Sequence, residues 1–153
     1  MATFEALALI TNSGKARMAQ LLADGKAFKI DRFVVGNQGH DPLDLTLALT
    51  PDPTKAGCYC SPESLTVLGG CSFEGLIDTI TFNNTTCPVF KIILNPGQAT
   101  GVVTSICLLG TIVYSPIPND PELNTRFSFA VANFPYKIKI PSEKYEYNLS
   151  IQL

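Results

Sequence analysis

Residues 11–35, TNSGKARMAQLLADGKAFKIDRFVV, decide the fold class, because the hydrophobic pattern changes period partway along them. Thr11, Asn12 and Ser13 offer capping oxygens, Met18, Leu21 and Leu22 stand at i, i+3 and i+4, and Gly25 supplies a stop. This reads as one short amphipathic helix. From Lys26 to Val35 the apolar positions are Phe28, Ile30, Phe33 and Val35, which read as a strand. Alternation breaks between Ile30 and Phe33, as a bulge or a twist would make it.

Downstream, Gly36-Asn37-Gln38-Gly39 is turn chemistry. From His40 to Gly70 the chain carries Pro42, Pro51, Pro53 and Pro62, with Leu43, Leu45, Leu47 and Leu49 alternating between them. The alternation suggests an extended arm or an edge strand. Short β-rich runs follow at Leu76–Phe82, Val89–Leu94, Val102–Leu109, Thr111–Tyr114, Arg126–Asn133 and Tyr145–Leu153. Asn83-Asn84, Asn95-Pro96-Gly97, Gly110, Pro116–Pro121 and Pro141-Ser142 punctuate them as turns between antiparallel strands. The expectation is therefore an α+β, mainly β domain: one short N-terminal amphipathic helix, then an antiparallel sheet or sandwich with an extended proline-bounded arm. No βαβ alternation points to a nucleotide-binding fold.

The 153 residues suffice for one domain, 1–153, within which 40–70 is the arm or an insertion. Hydrophobic residues make up 46% and charged residues only 16%, against about 25% in ordinary soluble proteins, so some apolar surface is expected to meet a partner. The formal net charge is −2. Lys15, Arg17, Lys26, Lys29 and Arg32 are interrupted by Asp24 and Asp31 and read as a solvated face, so nucleic acid is not an expected partner. The N-terminus lacks the basic lead and apolar length of a signal peptide, and no stretch approaches the roughly 20 apolar residues of a membrane span. Synthesis in a reducing cytoplasm, without a membrane, is expected.

Little in the sequence points to catalysis or to a cofactor. The single histidine, His40, sits in a Gly/Asp/Pro loop with no nucleophile motif beside it, and neither a Gly-x-Ser-x-Gly elbow nor a phosphate loop is present. Cys58, Cys60, Cys71, Cys87 and Cys107 are an odd number, which argues against an obligatory disulfide framework. Cys58-Tyr59-Cys60 with Cys71, and with His40, offers zinc-ligand types at poor spacing; free thiols, a disulfide and a metal all stay open. Asp41, Asp44 and Asp52 match no calcium-loop register and read as solvated loop carboxylates. Phe127, Phe129, Phe134, Tyr136, Tyr145 and Tyr147 alternate on the C-terminal strands, where core and intersubunit packing are the commoner roles and a stacking surface for sugars or bases is the other.

The stretch ALALITNSGKARMAQLLADGKAFKIDRFVVGNQG, Ala6–Gly39, resembles the N-terminal module of phage tail-collar and tail-fibre proteins, with its Leu-Thr-Asn-x-Gly-type helix start and a strand ending in a Val-Gly turn. RFSFAVANFPYKIKIPSEKYEYNLSIQL, Arg126–Leu153, is similar to the strand, Phe-Pro link and final strand that often close that module. Thr50-Pro51-Asp52-Pro53-Thr54 resembles its Pro-Asp-Pro-Thr arm, whereas the Gly57–Cys71 insert departs from the pattern. The resemblance implies a virion structural protein rather than an enzyme, acting as an adaptor that attaches a tail fibre to a baseplate wedge and forming a homo-oligomer, with a trimer favoured. A carbohydrate- or receptor-binding tail module is the alternative. Expected contact residues are Leu43, Leu45, Leu47, Leu49, Phe134, Tyr136, Tyr145 and Tyr147, together with a final strand available for edge pairing.

Overall fold

The computed structural model describes residues 1–60 and 73–152. In chain order the elements are β1 (Ala2–Leu7), β2 (Leu9–Ile10), α1 (Asn12–Ala23), β3 (Ala27–Gly36), β4 (Phe73–Leu76), β5 (Thr79–Asn84), β6 (Cys87–Leu94), β7 (Gly101–Val102), β8 (Ser105–Tyr114), β9 (Arg126–Asn133), β10 (Ile138–Lys139) and β11 (Tyr145–Ser150). Among the described residues a five-stranded sheet runs β2-β9-β8-β3-β4 and a four-stranded sheet runs β1-β11-β6-β5, with β7 and β10 forming a small ribbon. All pairings are antiparallel except β1 with β11. The described residues are thus mainly β with one short helix, as the patterning indicates.

The two large sheets pack face to face. From the four-stranded sheet come Phe90, Ile92, Leu94, Tyr145, Tyr147 and Leu149; from the other come Phe33, Val35, Ile106, Leu108, Ala130 and Ala132, all in one buried cluster. β6 and β11 bury alternate residues, as strands with one face on the core must. β8 is buried on both faces over most of its length, because its outer side is covered too. There Val34, Cys107 and Leu109 meet Cys58 in a second, smaller cluster.

Thr11 caps α1, its hydroxyl oxygen accepting from the Gly14 N–H at 3.1 Å, while its own N–H donates to the Phe129 carbonyl at 3.2 Å. The helix lies on β9 with Gly14 and Leu21 buried and Met18 packed against the inter-sheet core, whereas Leu22, expected on the same face, is 82% exposed. A Cβ on Gly14 would stand 2.3 Å from the Phe129 carbonyl oxygen, so only glycine lets the helix approach so closely. Gly25 takes a positive φ of 69° and turns the chain into β3.

The β3–β8 register shifts between Ile30 and Arg32, where the broken alternation pointed. Asp31 at the bulge accepts from Thr111 Oγ1 at 2.7 Å, and its carbonyl accepts from Ile77 N–H at 2.9 Å. Three strand expectations are corrected here. Val102–Leu109 is interrupted at Val103-Thr104, so that Val102 pairs in the β7–β10 ribbon and the long strand begins at Ser105. Leu76–Phe82 is not one strand: it breaks at Ile77-Asp78, and the chain crosses from the five-stranded to the four-stranded sheet. Gly110 does not separate two strands but lies inside β8, because the Phe127 ring occupies the space where its Cβ would stand, 2.5 Å away.

The basic residues of the N-terminal third are largely absorbed by ion pairs. Arg17 pairs with Glu122, Lys26 with Asp120 at 2.8 Å, and Arg32 with Glu74 at 3.6 Å. The Lys26 and Asp120 side chains are only 5% exposed. The hydrogen bond from Lys26, helped by one from Ser115, holds the Asp120 carboxyl at about 2, below its ordinary 3.8, and the same bond raises Lys26 above its ordinary 10.5. A carboxyl with a depressed folded-state pKa stabilises the fold above its unfolded value and loses that contribution as pH falls through the folded one. Asp120→Asn should therefore melt below the wild type at pH 5, and the gap should close between about pH 4 and pH 2. Thermal melts of both proteins across that range check it.

Candidate interaction surface

The site begins at the exit from β3. Gly39 is buried, its N–H donating to Thr104 Oγ1 at 2.9 Å, and a Cβ there would lie 1.9 Å from the Thr104 carbonyl oxygen. The following loop then folds back on itself. His40 bridges to Ala48, Asp41 N–H donates to the Leu47 carbonyl at 2.9 Å, and Leu49 N–H returns to the Gly39 carbonyl at 2.8 Å. Asp41 and Asp44 make local turns, accepting from Leu43 N–H at 2.9 Å and Thr46 N–H at 3.0 Å. The bonds from Thr46 lower the Asp44 pKa, and those from Thr54 do the same for Asp52. These carboxylates shape turns.

That geometry corrects the expected extended arm or edge strand over Leu43–Leu49. The aspartates compete for the backbone through their own side chains and convert the alternation into turns. The loop is also tied to the body, with Asn133 Nδ2 donating to the Leu49 carbonyl at 3.1 Å and Tyr136 N–H to the Leu45 carbonyl at 3.0 Å. The leucines nevertheless remain outward: Leu43 is 95% exposed, Leu45 and Leu47 about half exposed, and Leu49 half-buried. The His40 ring stands edge-on to exposed Tyr136 at 5.0 Å, with Nδ1 at 3.3 Å from Thr104 Oγ1. Leu45, Leu47, Tyr136 and His40 thus belong to one pinned surface, with Leu43 at its tip.

The other expected contact residues are elsewhere. Phe134, Tyr145 and Tyr147 are buried in the inter-sheet core, where Phe4 stacks on Tyr147 at 4.9 Å and Phe134 meets it edge-on at 5.0 Å. Burial pushes the Tyr145 hydroxyl up to about 12 and Tyr147 higher still. Neither a subunit interface nor a sugar platform can use these rings, because alternation turns Tyr145, Tyr147 and Leu149 together toward the opposite sheet. Nor is the final strand an edge. β11 is flanked by β1 and β6, so its backbone groups are already taken on both sides.

The four-stranded sheet has two edges, β1, which carries Glu5, and β5. All six residues of β5 are exposed, it carries no charge, and no strand pairs with its outer side among the described residues. Ile80 and Phe82, the latter 67% exposed, help line a groove of about 660 Å³ with Ile30, Leu76, Ile77 and Phe90. Thr79-Ile80-Thr81-Phe82 alternates without a lysine, proline or acid to blunt it, and that is the sequence signal that could have found it.

Among the described residues, no three of His, Cys, Asp and Glu stand close enough together to hold a metal ion, and no helix is long and apolar enough to cross a membrane. Cys71 of the conjectured zinc set lies outside the described residues. What the described surface offers is thus a sandwich carrying a pinned leucine loop and an uncharged open edge. Compared with protein-family models, with curated proteins and with solved structures, the chain matches none.

Proposed function

We propose that this chain is a structural component of a phage-type tail, an adaptor in the virion that attaches a tail fibre to the baseplate by protein–protein contacts. The observation that carries the reading is the leucine loop: large apolar side chains held out in solvent by a backbone network that fixes their positions. An interface gains from that arrangement, since the ordering cost is met before the partner arrives. Exposed leucines on a pinned loop are costly for a protein that stays alone.

A second observation supports the tail-module resemblance. Its two stretches, Ala6–Gly39 and Arg126–Leu153, are far apart in sequence yet adjacent in space: β1 pairs with β11, β2 with β9, and α1 lies on β9. They make one module, from which the leucine loop projects. Baseplate wedge and fibre proteins are the partners of this reading, and a homotrimer is its favoured self-assembly.

Light scattering of the purified chain, with and without candidate baseplate and fibre proteins, tests it. A trimer or a stable hetero-complex is the expected result, and a monomer indifferent to those partners would overturn it. Combining Leu43→Asp with Leu47→Asp should weaken the association by at least about tenfold per leucine while leaving the circular dichroism spectrum of the folded chain unchanged, as hot-spot residues outside the core do. Unaltered association would place the contact elsewhere.

A further inference from the structure

The fold sorts the cysteines in a way that their spacing does not. Cys87 begins β6 in the four-stranded sheet, whereas Cys58 and Cys107 are buried together on the outer face of the five-stranded sheet, with Cys60 packed against them. Cys107 belongs to central strand β8; Cys58 comes from a strap, residues 57–60, that crosses over it.

The strap is seated through Tyr59. Its carbonyl accepts from Gln38 N–H at 2.8 Å, its N–H donates to Ser105 Oγ at 3.1 Å, and its hydroxyl accepts from Asp52 N–H at 2.7 Å. The Lys55 ammonium lies 3.9 Å above its ring. A Cβ on Gly36 would come within 2.5 Å of the Tyr59 carbonyl oxygen, so glycine there is a condition of the seating. With Tyr59 fixed, the Cys58 thiol donates to the Val34 carbonyl at 3.1 Å, and Val34 is the cross-strand partner of Cys107. Both cysteines belong to the same small buried cluster, with Val34 and Leu109.

We infer that Cys58 and Cys107 are an oxidisable pair whose disulfide staples the strap to β8. Two small buried hydrophobes would also fill this space, but two cysteines sharing one buried cluster at the junction of an irregular segment and a central strand is the placement in which one bond does most to hold that segment. The oxidant is a low-molecular-weight disulfide such as oxidised glutathione. One protein thiolate attacks it and expels a glutathione thiolate, leaving a mixed disulfide; the second protein thiolate attacks the protein sulfur of that bond and expels the other. Two protein thiols lose two electrons and two protons, and one glutathione disulfide becomes two glutathione thiols. Because both thiols are buried, the exchange waits on opening of the strap and is slow under native conditions.

The test incubates the full chain with oxidised glutathione or with dithiothreitol, blocks remaining thiols, and maps linked peptides by mass spectrometry without reduction. The expected result is a Cys58–Cys107 link, a fall in thiols titrated after denaturation from five to three, and a melting temperature about 5 °C or more above that of the reduced protein. Cys58→Ser, which keeps a donor for the Val34 carbonyl, should abolish the link and the shift, and Cys87→Ser should leave both intact. Should Cys58→Ser fail to fold, the wild-type peptide map decides alone. Glutathione adducts without a protein link, or a link joining Cys60 or Cys71 instead, would overturn the inference.

Discussion

Tyr147→Ala is expected to cost about 3–5 kcal/mol of folding stability, the range for deleting a large buried ring. Tyr147 is 1% exposed and packs against Phe4, Phe134 and Tyr145, so truncation empties the centre of the inter-sheet core. The hole cannot be filled by a small rearrangement, because β11 is held on both sides by β1 and β6. The loss is a large fraction of the 5–15 kcal/mol or so that keeps a typical domain folded. Urea denaturation followed by circular dichroism measures it. Tyr136→Ala is the control: this exposed ring should change stability by no more than about 0.5 kcal/mol, its effect falling on association instead. Equal losses from the two substitutions would contradict the division between a buried Tyr147 and a surface Tyr136.

The second large effect is expected at Gly39. Adding one methyl group places a carbon 1.9 Å from the Thr104 carbonyl oxygen and 2.7 Å from Asn133 Oδ1, and the first of these is backbone. Either β8 or the loop must move, and the loop yields more easily, since a few single hydrogen bonds hold it while β8 is paired on both sides. Gly39→Ala should therefore cost about 1–3 kcal/mol, in the range for overpacking, and should also release residues 40–49. Amide exchange there should rise, beginning with the Leu49 N–H that donates to the Gly39 carbonyl. If the loop is the contact surface, association weakens in parallel, although no leucine has changed. Full protection of Leu49 in the variant would show that the loop is not hung from Gly39.

Local chemistry was legible without the structure. The helix between Thr11 and Gly25, the strand after it with its break between Ile30 and Phe33, and the strand Arg126–Asn133 all follow from capping oxygens, a glycine stop and the periods of apolar residues. These signals act over one or two turns of chain, so a short window contains them. The leucines between His40 and Thr50 were legible as exposed apolar residues, but not as a loop, since alternation is equally consistent with a strand until the Asp41 and Asp44 side chains are seen taking the backbone bonds.

The amino-acid sequence by itself determined the mainly β class, the single helix and the low surface charge. Tertiary structure alone decided that Tyr145 and Tyr147 face inward, that the last strand lies between β1 and β6, that β5 is left open, and that Cys58 meets Cys107. It also decided that Gly14, not Leu22, meets the sheet, and that Gly110 continues a strand. The reason is one of range: a period of two says that alternate residues share a face, but which face is buried, and beside which strand, depends on pairings between segments far apart in the chain.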